Sequence, residues 1–138
     1  MSSVFVDTSG WANFFISTEN YSTAAADCVR EAQRTRQKLI TTNYVIAELV
    51  ALLGSRYQLP RRMLFQYINA IKAIPSIFII YIDQAADSEA WRLCQSRPDK
   101  AWSLVDASSF VIMKQLGIQT ALTTDRHFEQ AGFIRLLK

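Results

Sequence analysis

The sequence predicts an α/β protein: a three-layer α/β/α sandwich on a central, mainly parallel sheet of four to five strands. Three observations carry that expectation. Short apolar, strand-like runs alternate with longer helical stretches, an order that implies parallel strands with helices on both faces. No repeat, low-complexity segment or linker interrupts the alternation, so residues 1–138 read as a single domain. Hydrophobic residues make up 50% and charged residues 20%, a globular balance that excludes wholesale disorder.

The elements follow in order. "SVFV" (3–6) is the first strand-like run, expected at the centre of the sheet, and "STAAADCVREAQRTRQK" is the first long helical stretch after it. "LITT" (39–42) is followed by "NYVIAELVALLGSR" and by "PRRMLFQYINAIKA", where Pro60 suits a helix start. "IFIIY" (77–81) leads into "DQAADSEAWRLCQS", and "SLVDASSFVIMKQLG" closes on Gly117 as a C-terminal cap. "TALTT" (120–124) and "IRLL" (134–137) complete the strands. Between these last two, "TDRHFEQAG" reads as a short helix ending at Gly132.

Several function classes drop out early. "MSSVFVD" lacks the basic segment and apolar run of a signal peptide, and "IPSIFIIYI" is too short to span a bilayer. Cys28 and Cys94 show no CxxC spacing, which suits thiols of a reducing compartment and a cytoplasmic protein. The four glycines form no phosphate-cradling loop, which argues against a dinucleotide site. Net charge is only +3. With four of the twelve acids neutralised by metal, fifteen cations would face eight acids, and a basic rim around an acidic centre suits a polyanion.

Four carboxylates stand in informative settings. Asp7 is the first charge after the apolar run "VFV" and reads equally as a helix cap or as a metal ligand at the carboxyl edge of the sheet. Asp125, in "LTTDRHF", has the same two readings. Glu48 has Tyr44, Val45, Ala51 and Leu52 as its helical neighbours; none is charged, so the position does not read as a solvated face. Asp106 has capping-box spacing from Ser103, and alone it favours the cap. Together the four need cations or protons, since two like charges ~4 Å apart repel by ~4 kcal/mol at an effective dielectric near 20. Hard divalent ions such as Mg²⁺ or Mn²⁺ suit oxygen donors. Zinc fits less well, with His127 the only histidine and no Cys/His cluster.

The ordered set of "VFVDTS", "VIAEL", "SLVDA" and "LTTDRHF" resembles the PIN-domain nucleases, especially the VapC-type toxins of toxin–antitoxin pairs, over nearly the whole chain. The resemblance implies an RNA-hydrolysing enzyme dependent on Mg²⁺ or Mn²⁺, with Asp7, Glu48 and Asp106 in the metal shell. Asp125 would complete that shell or orient the attacking water, and Ser9 and Thr123 would hold the ligands by hydrogen bonds. His127 is expected to pack beside Phe128 or touch substrate rather than act as a base. The resemblance also implies an antitoxin partner and a homodimer. The helix at 60–74 has an apolar face broad enough for either contact, or for deep burial within its own subunit. Arg30, Arg34, Arg36, Lys38, Arg56, Arg61 and Arg62 are candidate contacts to an RNA backbone. The rival from another class is a catalytically silent RNA- or protein-binding module on the same fold. An aspartyl phosphotransferase would carry a second Asp where Ser9 stands.

Overall fold

A computed structural model describes residues 3–138; Met1 and Ser2, which open the stretch read against a signal peptide, lie outside them. Five strands form one sheet: β1 (Val4–Val6), β2 (Leu39–Thr42), β3 (Ile77–Ile80), β4 (Thr120–Leu122) and β5 (Ile134–Arg135). Every pairing is parallel, and the order is β3-β2-β1-β4-β5. β1 is therefore central, and all of its residues are buried. The expected strands over 77–81, 120–124 and 134–137 end sooner than their apolar runs, because the last residues leave the ladder.

Among the described residues seven helices connect the strands: α1 (Thr8–Phe15), α2 (Ser22–Thr35), α3 (Asn43–Ser55), α4 (Arg61–Ala73), α5 (Gln84–Ser96), α6 (Leu104–Leu116) and α7 (Arg126–Gln130). The chain steps from β1 to β2 to β3 in one direction, then returns past β1 to β4 and β5. Right-handed crossovers assign α1–α4 to one face of the sheet and α5–α7 to the other. Side-chain alternation along β1 serves both layers. Phe5 meets Phe128 at 6.3 Å, and Phe128 packs edge-on against Phe110 of α6. Towards α1, Trp11 is fully buried and its indole donates to the Thr41 hydroxyl on β2.

Helix ends follow local chemistry. Ser103 and Asp106 form a reciprocal capping box on α6, and Gly117 closes that helix in the left-handed conformation at φ 68°. α2 stops at Thr35, short of the expected Lys38, because Arg36 turns left-handed at φ 59° and frees the chain to enter β2. The broad apolar face on α4 is divided. Leu64, Ile68 and Ile71 are buried, Tyr67 stacks on Phe15 at 4.5 Å, and Met63 and Phe65 stay exposed. Cys28 and Cys94 are free thiols. Among the described residues no helix is long and apolar enough to cross a membrane.

In an open parallel sheet the strand order reverses at one point, and a crevice opens there beyond the carboxyl ends. Here that point lies between β1 and β4. Gly10, in the first turn of α1, allows that helix to approach β4 there. A Cβ at this position would lie 2.1 Å from the Leu122 carbonyl oxygen and 3.0 Å from the Val6 side chain. Backbone cannot yield to that contact as a flexible side chain would. Gly10→Ala is expected to destabilise the protein by about 3 kcal/mol, at the upper end for overpacking, and urea unfolding midpoints measure it. An unchanged midpoint would show that α1 can stand off from β4.

Candidate metal and active site

The crevice at the switch point is a cleft of about 620 Å³ whose lining includes Asp7, Glu48, Asp106 and Asp125. These acids arrive on four segments: the β1–α1 junction, the middle of α3, the first turn of α6 and the β4–α7 junction. Residues distant in sequence thus meet at one edge of the sheet.

Asp7 is the most buried of them, at 7% exposure. It is the N-cap of α1, with Oδ1 accepting from the Gly10 amide at 2.9 Å and from the Ser9 hydroxyl at 2.8 Å. Oδ2 accepts from the Thr123 hydroxyl at 2.8 Å, across 116 residues of chain. Ser9 and Thr123 lie 3.2 Å apart, and Ser9 Oγ also accepts from the Thr124 amide. Burial pushes the Asp7 carboxyl up to about 7, and the charge of Asp125 adds to that; the three hydrogen bonds oppose it. Desolvation wins over hydrogen bonding here.

Asp106 and Asp125 form a tighter group with His127. One ligand atom from each falls within 4.8 Å of the others. His127 Nδ1 lies 2.9 Å from Asp106 Oδ2 and 3.3 Å from Asp125 Oδ1. Both acids also serve their helices: Asp106 Oδ2 accepts from the Ser103 amide, and Asp125 Oδ1 caps α7 through the His127 amide. The imidazole therefore joins the acidic cluster, a position its sequence neighbourhood does not reveal. Only the fold brings residue 127 to residue 106.

Glu48 differs from its sequence reading. It is exposed, although of the four uncharged neighbours Val45 is buried, Tyr44 and Leu52 are half-buried and only Ala51 is exposed. Glu48 instead points its carboxylate at the Thr8 hydroxyl, which donates to it, and lines the cleft from the α3 side. Sequence reasoning missed Thr8 in this role, and also the far wall of the cleft. There Glu19, Asn20, Tyr21, Arg56 and Tyr57 line the cavity, and the Tyr57 hydroxyl donates to Glu19 at 2.7 Å. Burial, then that bond, pushes the Tyr57 phenol up to about 12.

The donor set suits a hard divalent cation: carboxylate oxygens from four segments, with one imidazole beside them. No thiolate lines the cleft, and zinc's usual nitrogen and sulfur donors are reduced to His127.

Comparison with known proteins speaks to the family and the fold. The sequence profile of the PIN domain matches residues 4–134. The chain is 28% identical over 137 residues to the 23S rRNA-specific endonuclease VapC20 of Mycobacterium tuberculosis, covering 96% of this chain and 97% of that protein. The crystal structure of M. tuberculosis VapC20, described as a sarcin–ricin loop cleaving toxin, superposes with a TM-score of 0.83 at 27% identity, covering 99% and 100% of the two chains. PAE2754 from Pyrobaculum aerophilum shares the fold, with a TM-score of 0.65 at 19% identity over 98% of this chain and 90% of its own.

Asp7 should make the metal-free protein sensitive to pH in a definite direction. Its folded value of about 7 lies above the ordinary 3.8, so the folded state holds the proton longer than the unfolded state does. Stability contributed at this site is therefore full below about pH 4 and falls as pH rises through 7, by on the order of 4 kcal/mol. Asp7→Asn, which keeps an acceptor for Gly10, is expected to remove that fall and to exceed wild type at pH 8 in the presence of a chelator. Urea unfolding of both proteins at pH 5 and pH 8 reads it. A wild type whose stability relative to the variant is the same at both values would refute it.

Proposed function

The chain belongs to the PIN domain family, and on that footing we propose that it is a metal-dependent ribonuclease with Asp7, Glu48, Asp106 and Asp125 as its catalytic carboxylates. The observation that supports this most is the convergence of the four acids in one cleft at the β1/β4 switch point. A cleft of that charge serves little purpose in a protein that only binds RNA, because it repels the phosphate backbone unless cations occupy it.

Asp7, Asp106 and Asp125, with Glu48 from the facing helix, would hold Mg²⁺ or Mn²⁺. When bound, the ion supplies Lewis acidity toward the scissile phosphate and lowers the pKa of a coordinated water. The chain's own residues do the positioning. Ser9, Gly10 and Thr123 fix both oxygens of Asp7, so its lone pairs face a set direction. Thr8 orients Glu48, and His127 spans Asp106 and Asp125. These partners play the part that outer hydrogen bonds play around metal ligands in general. Asp7, which favours a proton near neutrality, would have to give that proton up to hold a cation, so affinity for the ion would strengthen as pH rises.

By extension from VapC20, the proposed substrate is RNA, and the sarcin–ricin loop of 23S rRNA is the first to test. The resemblance to VapC-type toxins adds to the proposal that the protein is a cytoplasmic toxin that pairs with an antitoxin protein and forms a homodimer. Exposed Met63 and Phe65 on α4 offer apolar surface for such contacts. Solution mass at micromolar concentration tests the dimer, and a monomer would count against it.

RNA cleavage is expected with Mn²⁺ or Mg²⁺ and to vanish with a chelator. Asp7→Asn and Asp106→Asn should each reduce it by more than about a hundredfold, and His127→Ala by less, since loss of a group behind the ligands typically costs about 10–100-fold. Mn²⁺ should also raise the thermal midpoint of wild type more than that of Asp7→Asn, by mass action on the folded state. Binding of RNA with no metal-dependent cleavage would replace the enzyme with a silent binding module.

A further inference from the structure

The fold separates the seven basic side chains that the sequence offers as RNA contacts. Arg30 pairs with Asp27 and Arg34 with Glu31. Lys38 lies over the Phe78 ring and Arg61 over Phe65. Of the seven, Arg56 alone lines the acidic cleft, and it is the only Arg or Lys on that lining among the described residues. It is exposed and takes part in none of the ion pairs found among them. Its guanidinium sits 5.4 Å from the centre of the Tyr57 ring, whose hydroxyl is tied to Glu19. Glu19 thus accepts from tyrosine, and the arginine is left for something else.

Position along α3 says what that is. Glu48, Leu52 and Arg56 are spaced by four residues, form one ridge, and all line the cleft. Eight residues of helix set Arg56 about 12 Å from Glu48 along the axis. That backbone offset sets Arg56 beside Tyr57 at the end of the cleft away from the acids, which suits a phosphate neighbouring the one at the acids on the same strand. A cleft of about 620 Å³ lies within the range that holds a whole small-molecule ligand, so the space beyond the acids has room for a nucleotide.

We infer that Arg56 is a substrate-binding residue whose guanidinium takes a phosphate flanking the bond to be cut, which makes the far end of the cleft a subsite for the adjacent nucleotide. The inference rests on the nuclease reading. Chemically, a guanidinium presents a planar fork of donors that matches phosphate oxygens, and the Tyr57 face beneath it limits its motion. In a lining that also carries five carboxylates, Arg56 is the fixed positive charge that would favour the backbone of a single strand over a neutral ligand.

The test compares wild type, Arg56→Ala and Arg56→Lys on single-stranded RNA. With Mn²⁺, Arg56→Ala is expected to raise KM about tenfold with kcat little changed, as loss of one uniform binding contact does. Binding is measured separately in the Asp7→Asn background, where the RNA stays intact. There the slope of log Kobs against log salt should fall by about 0.7 with Arg56→Ala, one phosphate on a single strand, and stay unchanged with Arg56→Lys. An Arg56→Ala protein with wild-type KM and slope overturns the assignment. So does a loss in kcat at constant KM, which would put Arg56 at the reacting phosphate or in the fold. If wild type binds RNA but never cleaves it, the nuclease reading fails, and the salt slopes still decide the phosphate contact.

Discussion

A buried carboxylate at the end of the central strand is the constraint around which this molecule is organised. Asp7 emerges from β1 where the sheet reverses its order, and burial there opposes its charge. The surroundings answer with three donors, a helix N-terminus and a glycine that lets the helix approach the neighbouring strand. None of these restores the ordinary acidity of the group. The fold tolerates this poor local arrangement because a rigid core on both sides of β1 over-determines it.

The wider cluster shows how like charges can be brought together in a folded chain. Three of the four acids sit at helix N-termini: Asp7 caps α1, Asp106 occupies the first turn of α6, and Asp125 caps α7. Free backbone amides and the positive end of each helix dipole offset part of their mutual repulsion. The fourth, Glu48, stands in mid-helix, and its exposure to water does the same work. Of the two readings posed by the sequence, cap or ligand, the cap is the one these three acids display. Capping is what allows these carboxylates to gather.

Much of the fold was legible because its signals are local. Val4–Val6, Leu39–Thr42 and Ile77–Ile80 stand out as short apolar runs, and Gly117 and the Ser103–Asp106 box mark the ends of α6. The helix α1 was not delimited, since Thr8, Gly10, Trp11, Ala12 and Asn13 are all buried and leave no polar stripe to show a helical period. The four acids that share the cleft were singled out from their local settings, whereas Ser9 and Thr123, which hydrogen-bond to Asp7, came from the family resemblance. His127, Thr8 and Arg56 were not assigned their places, because each depends on which distant segment faces it. The exposure of Glu48 was not legible, because its spaced neighbours run from buried Val45 to exposed Ala51 and an uncharged set does not say which side the carboxylate itself takes.

The hydrogen bond from Thr123 to Asp7 spans 116 residues, and the cluster's last members, Asp125 and His127, come later still. Order of synthesis then matters. A nascent chain carries Asp7, Glu48 and Asp106 long before β4 exists to seat against β1, and loops of that length close late in folding. Until residues 120–127 leave the ribosome, the cleft lacks one wall. A protein of this design stays incomplete as a catalyst until that segment has been made, whatever RNA lies beside it.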